Sequence, residues 1–148
     1  MAIDRYPPDL PHSVVVPSTM PPNAVSGSIT HLYQADSFYN SICYGDPTQN
    51  NYLEWNVYAA AGTYSLRVLY SSAANRGIAT VQVNGTNLGT TIDMYAVNPG
   101  QVNQAAQITG IVLKDGINKI RFTGATKNVS ASAYVLVFHG FTLYRTGP

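Results

Sequence analysis

At 148 residues with a net charge of +1, the chain has the length for one domain with a single sound core. Only 10% of residues are charged, and no basic run is interleaved with aromatics, which argues against a nucleic-acid backbone as partner. No stretch reaches the roughly eighteen apolar residues of a membrane span, and lone Cys43 excludes an internal disulfide and a Cys/His zinc cluster. A surface poor in charge and rich in Tyr, Asn, Ser and Thr suits neutral polar ligands or other protein.

Residues 1–28 differ in kind from the rest. They hold six of the nine prolines, which excludes a helix or a central strand. Ser13-Val14-Val15-Val16 is the one short run able to pair with an edge. The segment reads as an extended arm, ordered by lying on a surface, its own or a partner's. No basic region followed by an apolar stretch precedes it, so export is expected only by assembly or lysis.

The domain proper begins near Ile29, with a strand through Leu32-Tyr33-Gln34. Tyr39 to Asn51 reads as a long loop. In Tyr52 to Tyr70, Leu53, Trp55 and Val57 alternate with Glu54, Asn56 and Tyr58, the period of a half-buried strand. After a turn at Gly62, Tyr64, Leu66, Val68 and Tyr70 take one face, so a hairpin is expected here. Ala79, Val81 and Val83 lead into the hairpin turn Asn84-Gly85. Thr90 to Gln107 reads as irregular. Ile111 and Leu113 lead into a second hairpin turn, Asp115-Gly116, from which Ile120 and Phe122 return. A polar loop, Gly124 to Ser132, precedes a last strand from Tyr134 to Tyr144, where Gly140 marks a bulge. No helical period is sustained. Seven to nine strands with turns between them predict an all-β fold, a jelly-roll β-sandwich of two antiparallel sheets over residues 29–148.

Tyr33-Gln34-Ala35-Asp36, YLEWNVYAAAGTY, VQVNGTNLG and VLKDGINKIRF occur in order across residues 29–145. Together they resemble the carbohydrate-binding modules of families six and thirty-five. The resemblance implies a galactose-binding-like jelly roll without catalytic activity. It also implies a structural calcium, held by acids near the first strand and an Asp in the last. Here the matching positions are Gln34 and Asp36, and the last strand reads Phe138-His139-Gly140, so one carboxylate remains. No other cofactor is expected. The family's sugar cleft is flanked by aromatics, against which the C–H face of a pyranose packs. Tyr39 or Tyr44 would supply the first platform. Val102 and Ala105 stand where the second is expected, and Tyr95 would substitute. Asn128 matches a loop asparagine that contacts sugar hydroxyls.

No catalytic constellation is visible. The seven acids are scattered; Asp36 and Asp46 read as solvated loop acids rather than a glycosidase pair. His139 reads as a satisfied sheet histidine, Trp55 as core and Cys43 as a small loop residue. Two functions remain. In the first, the protein is a structural or display component of a larger assembly, a phage virion's capsid decoration or tail adhesion head. Residues 1–28 would anchor it to other subunits at the virion surface, and the sandwich would present loops to surface glycans. The alternative is an extracellular glycan-binding module working with a polysaccharide-degrading enzyme.

Overall fold

A computed structural model describes residues 13–17, 19–33, 41–97 and 100–148. The described strands are β1 (Ser13–Pro17), β2 (Ala24–Ser26), β3 (Thr30–Tyr33), β4 (Ser41–Tyr44), β5 (Asn51–Ala59) and β6 (Gly62–Ser72). They continue with β7 (Ile78–Val83), β8 (Thr86–Asp93), β9 (Gln101–Leu113), β10 (Gly116–Thr126) and β11 (Val137–Gly147). One antiparallel sheet runs β3-β4-β11-β6-β9 with β1 also on β11, and the other runs β2-β5-β10-β7-β8. This is the expected jelly-roll sandwich, with more strands than the turn signals alone resolve.

Period-two alternation decides which side chains meet between the sheets. Leu53, Trp55 and Val57 of β5 are buried, as are Tyr64, Leu66 and Val68 of β6. The indole of Trp55 lies edge-on to Phe122 at 6.1 Å, Phe138 at 5.9 Å and Phe141 at 5.5 Å, which ties β5 and β10 to β11 across the core. Its Nε1–H donates to the Met20 carbonyl at 3.0 Å, so the one polar atom of the ring is satisfied. Trp55 is core, as its spacing implies. His139 is fully buried, with Nε2 2.5 Å from Ser71 Oγ.

Strand partners depart from the expected hairpins. β5 pairs with β2 and β10, whereas β6 pairs with β11 and β9, so the Ala59–Gly62 connection crosses from one sheet to the other. The Asp115-Gly116 turn crosses in the same way, from β9 to β10. There Asn118, fully buried, holds the turn: Lys114 N–H donates to its Oδ1 at 3.1 Å, and its Nδ2 donates to the Lys114 carbonyl at 2.9 Å. Alternation reports which face is buried, not which strand lies alongside, and a crossing turn uses the same residues as a hairpin turn. Asn84-Gly85 does close a hairpin, with φ of 51° and 83° joining Val83 to Thr86. The register shift between Phe138 and Gly140 is the expected bulge.

Two expected loops are partly strand. β4 lies within the 39–51 stretch and buries Cys43, whose thiol burial pushes up to about 12, so Cys43 is a core residue and not a loop residue. β9 begins at Gln101 inside the expected irregular stretch. Its described partner is β6 alone, and Ala106 is the residue it packs near the core there, so no strong apolar alternation marks it.

β1 pairs with β11 from Ser13↔Tyr144 to Pro17↔Gly140 and buries Val16, while β2 pairs with β5. Residues 13–17 and 24–26 therefore lie in the two sheets of their own sandwich. Residue 28 is a boundary of composition, with strands on both sides.

Candidate functional site

The registers gather the sheet-to-sheet connections at one end. Asn51 lies opposite Gly124 and Ile78 opposite Asp93 in one sheet; Tyr44 lies opposite Val137 and Ser72 opposite Gln101 in the other. Residues 27–29, 45–50, 73–77, 94–97 and 127–136 therefore share this end.

Backbone bonds lace them together. Gly77 N–H donates to the Val135 carbonyl at 2.9 Å, Ser132 N–H to Ala74 at 3.0 Å, Ala96 N–H to Ala73 at 3.2 Å and Tyr134 N–H to Pro47 at 3.0 Å. Loops so cross-linked hold their backbone in place without a ligand, which lowers the ordering cost of binding.

Two polar side chains and one backbone amide meet here. The Asp93 carboxylate accepts from the Tyr95 backbone N–H at 2.9 Å and from Asn128 Nδ2 at 3.5 Å. Asn128 Oδ1 accepts from Ser130 N–H at 3.0 Å, and Ala131 N–H donates to the Asn128 carbonyl at 2.9 Å. Lys127 Nζ donates to the Ala131 carbonyl, closing the same turn. Tyr95 and Asn128, both half-buried, are thus brought together through Asp93. Nearby Tyr70 is raised above its ordinary value, first by burial and then by the Asp93 charge.

Asp93 was invisible to sequence reasoning: it stands 35 residues from Asn128, and only the β8–β9 connection brings it near. Tyr44 is placed differently from a free platform. Arg76, which is buried, lies over its ring at 5.1 Å, and the ring packs on Val135 and Val137. It buttresses the 127–136 segment from below. Tyr39, Gln34 and Asp36 lie outside the described residues.

His139 stands in the last strand where an acid is expected, buried and engaged with Ser71. Among the described residues no three His, Cys, Asp or Glu side chains converge.

Asp46 works as a clasp. It accepts from Ser28 N–H at 3.0 Å, Ser28 Oγ–H at 3.1 Å, Thr48 N–H at 2.9 Å and Thr48 Oγ1–H at 2.5 Å, joining two connections. A Cβ on Gly27 would sit 2.5 Å from this carboxyl, which is why the position has none. The Ser28 backbone bond, followed by the Thr48 bonds, holds Asp46 well below the usual carboxylate range. A depressed folded value means that the contribution is complete above the unfolded value of about 3.9 and is lost as pH falls through the folded one. Asp46→Asn is therefore expected to flatten the fall of melting temperature below about pH 4. Identical acid limbs for the two proteins would remove this role.

No family model matches the chain, and no curated protein matches it. Solved structures do share its fold. A xanthan lyase from Paenibacillus superposes with a TM-score of 0.73 at 23% identity, over 97% of this chain and 14% of that one. A family 35 carbohydrate-binding module from Clostridium thermocellum gives 0.64 at 22% identity, over 88% and 97%. The CBM35 from Cellvibrio japonicus Abf62 gives 0.67 at 16% identity, over 93% and 99%. The chain spans a small fraction of the lyase and nearly the whole of each module. The fold is that of a carbohydrate-binding module.

Proposed function

We propose that the chain is a non-catalytic glycan-binding module that holds its ligand at the laced loop end and works beside a polysaccharide-degrading enzyme. The observation that carries this is the Asp93 carboxylate, which accepts from the Tyr95 backbone N–H and from Asn128 Nδ2. Tyr95 supplies a ring for the apolar face of a sugar, Asn128 and Asp93 supply an amide and a carboxylate for its hydroxyls, and the cross-linked backbone keeps all three in place. No nucleophile or acid pair is needed for this task.

The display reading gives residues 1–28 the task of anchoring the sandwich on a virion or other assembly. It requires a surface elsewhere to hold the arm. Residues 13–17 and 24–26 are held by β11 and β5 of the same chain, which favours the self-contained module.

The test is a binding screen of the full chain against neutral hexose and pentose oligosaccharides, repeated with Tyr95→Ala/Asn128→Ala. The double variant is expected to bind at least about tenfold more weakly, a loss of about 1.4 kcal/mol. Its stability should fall by less than about 1 kcal/mol, because neither side chain is in the core. Undiminished binding by the double variant would move the site elsewhere, and no binding by the intact chain would end the proposal.

A further inference from the structure

Asn84-Gly85 is the one Asn-Gly pair in the chain, and both residues are exposed. An asparagine followed by glycine is prone to react with its own backbone. The Gly85 nitrogen attacks Asn84 Cγ, its proton passes to the departing amide, and ammonia leaves a succinimide ring. Water then opens the ring at either carbonyl, giving an aspartate or an isoaspartate. Gly85 has no side chain to hinder the attack, and even a Cβ there would meet nothing within 4 Å.

The carboxamide is not free to follow that path. β7 and β10 pair as far as Val83↔Ile120. One residue on, Asn84 N–H donates to the Lys119 carbonyl at 2.9 Å, and Lys119 N–H donates to Asn84 Oδ1 at 2.9 Å. At a φ of 51° the side-chain oxygen thus stands in for the backbone carbonyl in the ladder. The other half of the amide is held as well, since Nδ2 donates to Asn118 Oδ1 at 2.9 Å. Attack on a carboxamide comes from above its plane, and these two bonds hold that plane against β10. To meet the Gly85 nitrogen, the amide must turn and give up both.

Asn118 is a firm anchor. It is fully buried, Lys114 N–H donates to its Oδ1 at 3.1 Å, and its Nδ2 donates to the carbonyls of Lys114 at 2.9 Å and Gly116 at 3.2 Å. One buried amide therefore locks the β7–β8 hairpin turn to the β9–β10 crossing. The reaction undoes this lock. It replaces Nδ2 with an acceptor oxygen, which then faces the acceptor Oδ1 of Asn118. A buried acceptor is left without that donor, with a charge beside it. The Lys119 N–H keeps its acceptor, so the damage falls on the Asn118 side.

We propose that Asn84 is a self-modification site kept latent by Asn118. The amide survives while the two turns are joined and converts when they part. The converted chain rejoins them poorly, so each conversion is a lasting mark of an opening. The site lies on the β7–β8 turn, at the opposite end of β7 from Ile78 and the loop end, and depends on no sugar.

The experiment follows Asn84 by peptide mass spectrometry in the full chain in mildly alkaline buffer. Beside it runs a peptide of residues 82–87, which has the Asn-Gly pair and neither partner. The folded chain is expected to convert at least about tenfold more slowly than the peptide, the factor that two net hydrogen bonds supply. The chain unfolded in urea should match the peptide in the same urea. Asn118→Ala, where folded by circular dichroism, should convert several-fold faster than the parent. A folded parent chain as fast as the peptide overturns the proposal, and so does a folded Asn118→Ala chain as slow as the parent. Asn84→Asp tests the lock without altering a buried residue. Hydrogen exchange at the Lys114 amide should rise at least about tenfold in it, while the Lys119 amide stays protected. Unchanged exchange at Lys114 would show that the turns are not locked through this pair, and would overturn the role of Asn118 even if Asn118→Ala does not fold.

Discussion

Trp55→Ala is expected to destabilise the protein by about 3–5 kcal/mol, the usual cost of removing a buried tryptophan. The ring is 1% exposed and touches three aromatic side chains from β10 and β11. Those neighbours cannot collapse into the space, because Phe122 and Phe138 are already in contact at 4.6 Å and are carried on opposite sheets. The Met20 carbonyl loses its donor as well, adding the cost of a part-buried unsatisfied acceptor. Because a domain of this size has about 5–15 kcal/mol in hand, the variant stands near the limit of folding. In urea the midpoint should fall with little change in slope. Trp55→Phe separates the two contributions: it keeps most of the packing, loses the Met20 bond and should cost clearly less. A Trp55→Ala loss below about 1 kcal/mol would mean that the sheets are not held together through this ring.

Gly77→Ala and Gly124→Ala are expected to cost about 1–3 kcal/mol each, the usual range for overpacking. The reason is a single peptide group caught between two strands. A Cβ on Gly77 would lie 2.8 Å from the Tyr134 carbonyl oxygen and 3.0 Å from its carbon. A Cβ on Gly124 would lie 2.8 Å from the same oxygen and 2.6 Å from Asn51 Nδ2. That Asn51 amide donates to the Tyr134 carbonyl at 2.8 Å, so displacement also strains a hydrogen bond. Backbone cannot swing aside as a flexible side chain can. The 127–136 segment must therefore move outward, taking Asn128 away from Asp93, and the proposed sugar binding should weaken together with stability. The two substitutions should not add, because whichever is made first displaces the shared peptide and relieves the second. A strictly additive double variant would show that Tyr134 is not the common obstacle.

Much of the core was legible because burial leaves a period. The alternation of β5 named Leu53, Trp55 and Val57, and all three are buried. Asn84-Gly85 was legible because few residues adopt two successive positive φ values. Strand partnership was not legible at Gly62 or at Asp115-Gly116, where the same turn residues serve a crossing between sheets. The first half of β9 was missed because Gln104, Ala105 and Ala106 leave no apolar stripe, and β4 because four residues are too few to show a period.

The candidate sites divide in the same way. Tyr95 and Asn128 were visible as residue types suited to sugars, and both bond to Asp93, Tyr95 through its backbone N–H and Asn128 through its amide. Asp93 was not, since its partners are assembled by distant connections.

Amide NMR of the full chain, titrated with the neutral oligosaccharide that binds best, locates the ligand on the protein. Shifts confined to residues 73–77, 93–97 and 127–134, and absent in Tyr95→Ala/Asn128→Ala, are expected for a loop-end site. Shifts that leave those amides unmoved while the sugar binds would contradict it.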